Sequence, residues 1–268
     1  MNILASTVWN VSPEIIQLGP IHIRWYGLLF ALGFILGYII MSWIFKIENK
    51  NPKALESLTL YLVLGTVIGA RLGHCLFYEP DYYLANPIEI LYVWKGGLAS
   101  HGAGIGILIA LFLFNHRFKD IKLLWVFDRV VIPVALAAFL VRMGNLFNSE
   151  IIGKPTDLPW AFIFTSVDNI PRHPSQLYEG ISYLIIFFTL FFVYKKYKSN
   201  LPTGRIAGIF LILLFSARFF IEFFKETQAD FEKALPLDMG QFLSLPFVFL
   251  GFYFLYYSFT KGKIKSQY

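Results

Sequence analysis

Residues 25–45 read WYGLLFALGFILGYIIMSWIF, an unbroken stretch without a single charged side chain. A helix rises about 1.5 Å per residue, so a run of this length crosses the roughly 30 Å hydrocarbon core of a bilayer. Six further apolar runs follow, at about 57–78, 98–114, 121–141, 176–194, 205–224 and 238–259, the third of them short if it starts at Leu98. Lipid offers no hydrogen bonds to the backbone, so only helices and closed barrels span it. Barrel strands alternate apolar and polar residues, and these runs do not. Of the 268 residues, 57% are apolar and 15% charged, where a soluble domain carries about 25% charged residues. The expected fold class is therefore all-α: a polytopic membrane protein with seven transmembrane helices.

The basic residues orient it. Lys46, Lys50 and Lys53 follow the first run; Arg117, Lys119 and Lys122 follow the third. Lys195, Lys196, Lys198 and Arg205 lie between the fifth and sixth, and Lys261, Lys263 and Lys265 close the chain. Thirteen basic residues thus share one side, against six (Arg24, Lys95, Lys154, Arg172, Lys225, Lys233) on the other. The positive-inside rule makes the richer side cytoplasmic, which puts the N-terminus outside and the C-terminus inside. The net charge of +6 is then a topology signal. A nucleic-acid site would gather its basic residues on one folded face, so no nucleic-acid partner is expected. The first 24 residues lack a basic leader region, and no cleavable signal peptide is expected.

Residues 1–24 read as an amphipathic lead-in on the outer surface. Segment 79–97, with Pro80 and Pro87, reads as an external arm with a short helix around Ile88–Trp94. Segment 143–175 holds Pro155, Pro159, Pro171 and Pro174 and reads as a small extracytoplasmic head, with a possible strand at Trp160–Phe164 and Ser175 as the N-cap of the next helix. No internal repeat or second soluble domain is visible, so residues 1–268 are expected to form a single membrane-embedded domain. Gly33 and Gly37, and Gly65, Gly69 and Gly73, recur every four residues and suit close helix packing. Cys75, the one cysteine, reads as a packing residue, and His74 as structural.

Four arginines fall inside apolar runs: Arg71, Arg129, Arg142 and Arg218. Each costs roughly 2.5–3.5 kcal/mol at a bilayer centre, so such residues face a protein interior or a wet cavity. For each arginine alone, a structural ion pair with a neighbour such as Asp128 or Glu222 is the other reading. Together they favour a cavity that binds an anion, because guanidinium matches phosphate with paired hydrogen bonds. In a membrane the abundant phosphate carrier is a phospholipid. His101 stands among glycines at the outer start of the third run and suits a general base or a hydrogen-bond donor, or simple packing at headgroup level. The densest polar string is Arg142-Met143-Gly144-Asn145-Leu146-Phe147-Asn148-Ser149-Glu150-Ile151-Ile152-Gly153. One arginine, two amides and a carboxylate in that space can hold a phosphate and a glycerol.

At this string the chain resembles the prolipoprotein diacylglyceryl transferase family, whose signature reads Gly-Arg-x-Gly/Ala-Asn-Phe-x-Asn-x-Glu-x-x-Gly. Arg142, Gly144, Asn145, Asn148, Glu150 and Gly153 match; Val141 and Leu146 depart from the usual Gly and Phe. Collinear similarities run from about residue 24 to 226: Arg24-Trp25-Tyr26-Gly27, Gly69-Ala70-Arg71-Leu72-Gly73-His74, the Gly-Gly-Leu-Ala-Ser-His-Gly string around His101, Arg172-His173-Pro174-Ser175-Gln176-Leu177-Tyr178-Glu179, and Arg218-Phe219-Phe220-Ile221-Glu222.

The resemblance implies a multi-pass enzyme of the bacterial plasma (inner) membrane with its active site toward the outer leaflet. It implies transfer of diacylglycerol from phosphatidylglycerol to the lipobox cysteine of prolipoprotein signal peptides, with glycerol 1-phosphate released and no metal or organic cofactor. It carries over Tyr26, His101, Arg142, Glu150, Arg218 and Glu222 as catalytic residues, and Arg142, Asn145, Asn148, Gly153 and Arg218 as the phosphatidylglycerol-binding set. The chemistry fits. The leaving phosphate monoester gains negative charge, which Arg142 and Arg218 suit. A thiol with an ordinary pKa of about 8.5 needs help to ionise, for which His101 is the candidate. A transporter of a lipid or anionic solute through an arginine-lined cavity is the alternative; such folds carry repeats and broken helices. A metal-dependent headgroup enzyme would show an Asp/His ligand cluster.

Overall fold

The computed structural model describes residues 6–19, 21–93, 96–226 and 237–261. Four lysines of the charge comparison, Lys95, Lys233, Lys263 and Lys265, lie outside the described residues, as does Trp94 of the expected arm helix. The elements in chain order are β1 (Thr7–Trp9), β2 (Glu14–Leu18), β3 (Ile21–Arg24), α1 (Trp25–Ile47), α2 (Pro52–Phe77), α3 (Pro80–Ala85), α4 (Ser100–Arg117), α5 (Leu123–Phe147), β4 (Phe162–Phe164), β5 (Pro171–Arg172), α6 (Ser175–Tyr197), α7 (Arg205–Glu222) and α8 (Met239–Thr260), with short 3-10 turns at Pro87–Leu91 and Lys198–Asn200.

Each apolar run becomes a helix. Five helices are long and apolar enough to cross a membrane: α1, α2, α5, α6 extended to Asn200, and α8. The other two have 18 residues each. α4 starts with Ser100 and His101 and ends with Asn115, His116 and Arg117, which leaves a short apolar centre. α7 carries Arg205, Arg218 and Glu222. The five long helices expose large apolar side chains such as Ile35, Ile39, Leu60, Phe192 and Phe249. A water-soluble bundle of this size would bury most of them.

The chain is mostly helical but not all-α. β1 pairs in parallel with β4, β4 pairs antiparallel with β5, and β2 and β3 form a hairpin. The lead-in is thus built of strands. The head takes a strand from it, because Thr7 pairs with Phe162 across the sequence. The expected strand at Trp160–Phe164 forms at its second half. Ser175 does not cap α6; it is the first helical residue, and its hydroxyl donates to the Ile151 carbonyl at 2.6 Å. The arm shows a 3-10 turn at Pro87–Leu91, behind the short helix α3.

The chain divides into two compact units, Met1–Ile40 with Asp128–Tyr268, and Met41–Phe127. In the second unit α2 and α4 cross on glycine. A Cβ on Gly69 would strike the Gly102 carbonyl oxygen, and one on Gly106 would strike that of Gly65. Lipid supplies no hydrophobic drive between helices, so close backbone approach of this kind holds them. In the first unit Gly33 meets Ala137 and Gly37 meets Pro133, which joins α1 to α5. Gly208 and Gly251 join α7 to α8 in the same manner. Cys75 is fully buried, and His74 packs against Tyr78 and Tyr83.

Candidate active site

The polar string begins inside a helix. α5 runs on past the apolar run, so Arg142 and Asn145 lie one turn apart on its final turns. Arg142 Nη1 donates to Asn145 Oδ1 at 3.2 Å, and Asn145 Nδ2 donates to Glu150 Oε2 at 3.2 Å. Asn148 Nδ2 donates to the other oxygen, Glu150 Oε1, at 3.1 Å. The four side chains thus form one relay that leads from the helix into the loop.

The loop is bent hard to do this. Ser149 and Ile151 have φ of 53° and 57°. For a β-branched residue that region is an outlier, and it costs on the order of 1–3 kcal/mol unless surroundings impose it. The start of α6 imposes it: Ser175 bonds the Ile151 carbonyl, and Gln176 Nε2 donates to the Glu150 carbonyl at 2.7 Å. Gly153 then enters a tight backbone junction. Its N–H donates to the His173 carbonyl at 3.0 Å, it bridges Lys225, and Lys154 N–H donates to the Phe224 carbonyl at 2.9 Å. A Cβ on Gly153 would strike His173 O and come within 2.8 Å of Phe224 O, so only glycine fits without a shift. Gly144 plays a similar part for Tyr26, whose ring carbon Cδ2 would be 2.7 Å from a Cβ there.

A buried ion network adjoins the relay. Arg142 Nε lies 2.8 Å from Glu179 Oε2, a carboxylate with no solvent exposure. Lys225 Nζ is 3.0 Å from Glu222 Oε2 and 3.7 Å from Glu179 Oε1. The Tyr183 hydroxyl donates to Glu179 Oε1 at 3.4 Å. Arg218, on α7, is half-buried and makes no hydrogen bond or ion pair among the described residues. Three buried acceptors, Asn148 Oδ1, Gln176 Oε1 and Glu179 Oε2, have no aligned donor among the described residues. A ligand phosphate would meet guanidinium here, and a ligand hydroxyl would meet amide oxygen.

Eight of the nine predicted site residues fall in one unit: Tyr26, Arg142, Asn145, Asn148, Glu150, Gly153, Arg218 and Glu222. His101 is the second residue of α4, exposed, in the other unit. Two of the four membrane arginines have partners of other kinds. Arg71 is spent on backbone: it donates to the carbonyls of Glu89, Ile90, Gly96 and Gly97 and so holds the arm. Arg129 lies 3.7 Å from Asp128, whose carboxylate accepts from Gly204 N–H at 2.6 Å and Ala207 N–H at 2.9 Å and so caps α7. Glu179 and Lys225 were missed as site residues. Glu179 is a charge inside an apolar run, the signal that picked out the arginines, and applying it to acids would have found it.

In the head, Arg172 pairs with Asp168 at 2.7 Å and Glu226 at 2.7 Å. The guanidinium hydrogen bonds hold the Asp168 carboxyl below the ordinary carboxylate value. Burial pushes the His173 imidazole below its own. A groove of about 720 Å³ on α2 and α4, lined by residues such as Leu64, Ile68, Ile105 and Ile109, holds none of the predicted site residues.

Comparison with known proteins bears on the same residues. The family model for prolipoprotein diacylglyceryl transferase matches residues 13–257, which takes in every one of them. The chain is 51% identical over 258 residues to the phosphatidylglycerol--prolipoprotein diacylglyceryl transferase of Chloroherpeton thalassium, covering 96% of each chain. It is 51% identical over 243 residues to that of Tolumonas auensis (91% of this chain, 94% of the relative). It is 44% identical over 276 residues to that of Bacteroides fragilis (98% and 99%). A polytopic helical chain with a guanidinium–carboxylate site, matched over this length at this identity, belongs to the prolipoprotein diacylglyceryl transferase family.

Proposed function

We propose that this chain transfers the diacylglyceryl group of phosphatidylglycerol to the lipobox cysteine of prolipoprotein signal peptides. The family match over residues 13–257 carries this reading. The cysteine sulfur attacks the glyceryl carbon that bears the phosphate. A carbon–sulfur bond forms, the carbon–oxygen bond breaks, and glycerol 1-phosphate leaves with the bonding electrons. The thiol proton passes to a base. Charge grows on the phosphate oxygens as the bond breaks, and fixed cations aimed at that charge are the strongest aid a site can offer. Arg142 and Arg218 supply them. Asn145 and Glu150 hold Arg142 in place. Asn148 Oδ1, lacking a donor among the described residues, accepts from a headgroup hydroxyl. Gly153 lets the loop close against the chain after α7. Tyr26 packs on Gly144 and flanks the relay, and Glu222 balances Lys225. His101 is assigned the thiol proton.

The whole chain, residues 1–268, acts in this reading as one membrane-embedded domain, with the arm at about 79–97 and the head at about 143–175. α4 and α7 complete seven spans in the bacterial plasma membrane. The basic loops support an outer N-terminus, a cytoplasmic C-terminus and chemistry toward the outer leaflet.

Purified protein in liposomes, given phosphatidylglycerol labelled in its diacylglyceryl part and a lipobox peptide, tests the reaction. Label on the peptide but not on its Cys→Ser control, with glycerol phosphate released, supports it. Binding of phosphatidylglycerol without transfer overturns it in favour of a transporter or another lipid enzyme.

A further inference from the structure

Arg142, Glu179, Lys225 and Glu222 form a continuous chain of charges with side-chain exposures of 12%, 0%, 3% and 11%. A carboxylate taken out of water costs several kcal/mol unless it is paired, and removing one partner leaves the other charge uncompensated. Glu179 meets a cation at each oxygen, and Lys225 meets a carboxylate on each side. Two cations and two anions leave the chain neutral. Arg142 then offers the phosphate its hydrogen-bond donors, and the net positive charge beside them comes from Arg218, which has no ion-pair partner among the described residues.

The contact between Arg142 and Glu179 is close but not directional. Nε and Oε2 are 2.8 Å apart, yet no N–H points at that oxygen. The aligned bond from Arg142 runs instead from Nη1 to Asn145. Guanidinium has five N–H donors in a fixed fork. Glu179 therefore holds the group by charge without consuming that fork, and a carboxylate that captured it would compete with phosphate. Lys225 draws on both Glu179 and Glu222 and opposes such capture.

Resting on the transfer reaction proposed above, we propose that Glu179 and Lys225 are positioning residues. Glu179 holds the Arg142 guanidinium by charge, and Lys225, which meets Glu179 on one side and Glu222 on the other, holds Glu179 in place.

The test uses the full-length protein in liposomes, with kcat and KM for phosphatidylglycerol measured for Glu179→Gln, Glu179→Asp, Lys225→Met and Lys225→Arg beside wild type, and thermal unfolding followed in parallel. A misplaced catalytic group costs on the order of 10²-fold in rate, so E179Q and K225M lower kcat by about that factor while KM moves by less than about threefold. E179D and K225R, which keep the charge, recover much of the loss. A kcat within about twofold of wild type for E179Q or K225M overturns the proposal. So does E179D as slow as E179Q with the same unfolding temperature. If E179Q does not fold, the K225M and K225R pair decides by the same criteria. A wild-type protein that binds phosphatidylglycerol and transfers nothing overturns the transfer reading, and this proposal with it.

Discussion

Arg142 and Glu179 lie 2.8 Å apart across the junction of α5 and α6, the carboxylate with no exposure to solvent. The pair joins the last turns of one helix to the second turn of the next. Between them runs the strained loop of Ser149 and Ile151.

The fork of Arg142 matters as well as its charge. Lysine offers a point charge and no planar pair of donors. Arg142→Lys is expected to lose about 10²- to 10³-fold in kcat/KM, the scale seen when a donor to developing charge is removed. The transfer assay checks this. Near-wild-type activity in the lysine variant would show that charge alone suffices.

Gly153→Ala places a methyl group against the His173 and Phe224 carbonyls. Both are backbone atoms and yield little, so overpacking of about 1–3 kcal/mol is expected. The unfolding temperature falls and transfer falls with it. An alanine variant of unchanged stability and activity would mean that the junction relaxes freely.

Gly106→Val tests the crossing of α2 and α4, where a Cβ would strike the Gly65 carbonyl. The helices must separate, and the loss shows as a lower unfolding temperature in detergent. Gly104→Val on the same helix is the control, because nothing lies within 4 Å of a Cβ there.

The head is expected to loosen in acid, in two steps. The His173 imidazole sits below its ordinary value of 6.5, because burial disfavours the charged form. The unfolded chain then binds more protons than the folded one, and stability rises with pH. The contribution is complete above about 6.5 and is lost as pH falls through the folded value. Asp168, lowered from 3.8 by Arg172, behaves likewise in a more acidic window. Hydrogen exchange at the Gly153 and His173 amides, corrected for intrinsic rates, reads both steps. His173→Gln removes the upper step and Asp168→Asn the lower. Exchange that is flat from pH 7 to pH 4 would contradict the upper step, and exchange that stays flat below pH 4 the lower one.

The helices were legible because lipid imposes long uncharged runs, as in Trp25–Phe45. The strands were not. β1 has three residues, and its partner Phe162–Phe164 is far along the chain, so no local pattern announces it. The Arg142–Gly153 string was legible because polar groups are costly beside apolar ones. What the string leans on was not: Glu179, Lys225 and Gln176 reach it only through tertiary structure. Arg71 and Arg129 carried the same sequence signal as Arg142, yet Arg71 holds backbone and Arg129 lies beside the carboxylate that caps α7. A buried charge shows that a partner exists, and not which kind.

Arg71 grips the arm through the main-chain oxygens of Glu89, Ile90, Gly96 and Gly97, and through the ring face of Tyr83, whose centroid is 4.9 Å from the guanidinium carbon. The four main-chain bonds are blind to side-chain identity, and the Tyr83 contact is not. The letter at position 90 can be rewritten without loosening those bonds, whereas Gly97, at φ +70° with His74 and Arg71 against it, cannot. The mount of the arm is thus fixed at Tyr83 and Gly97 and permissive at position 90.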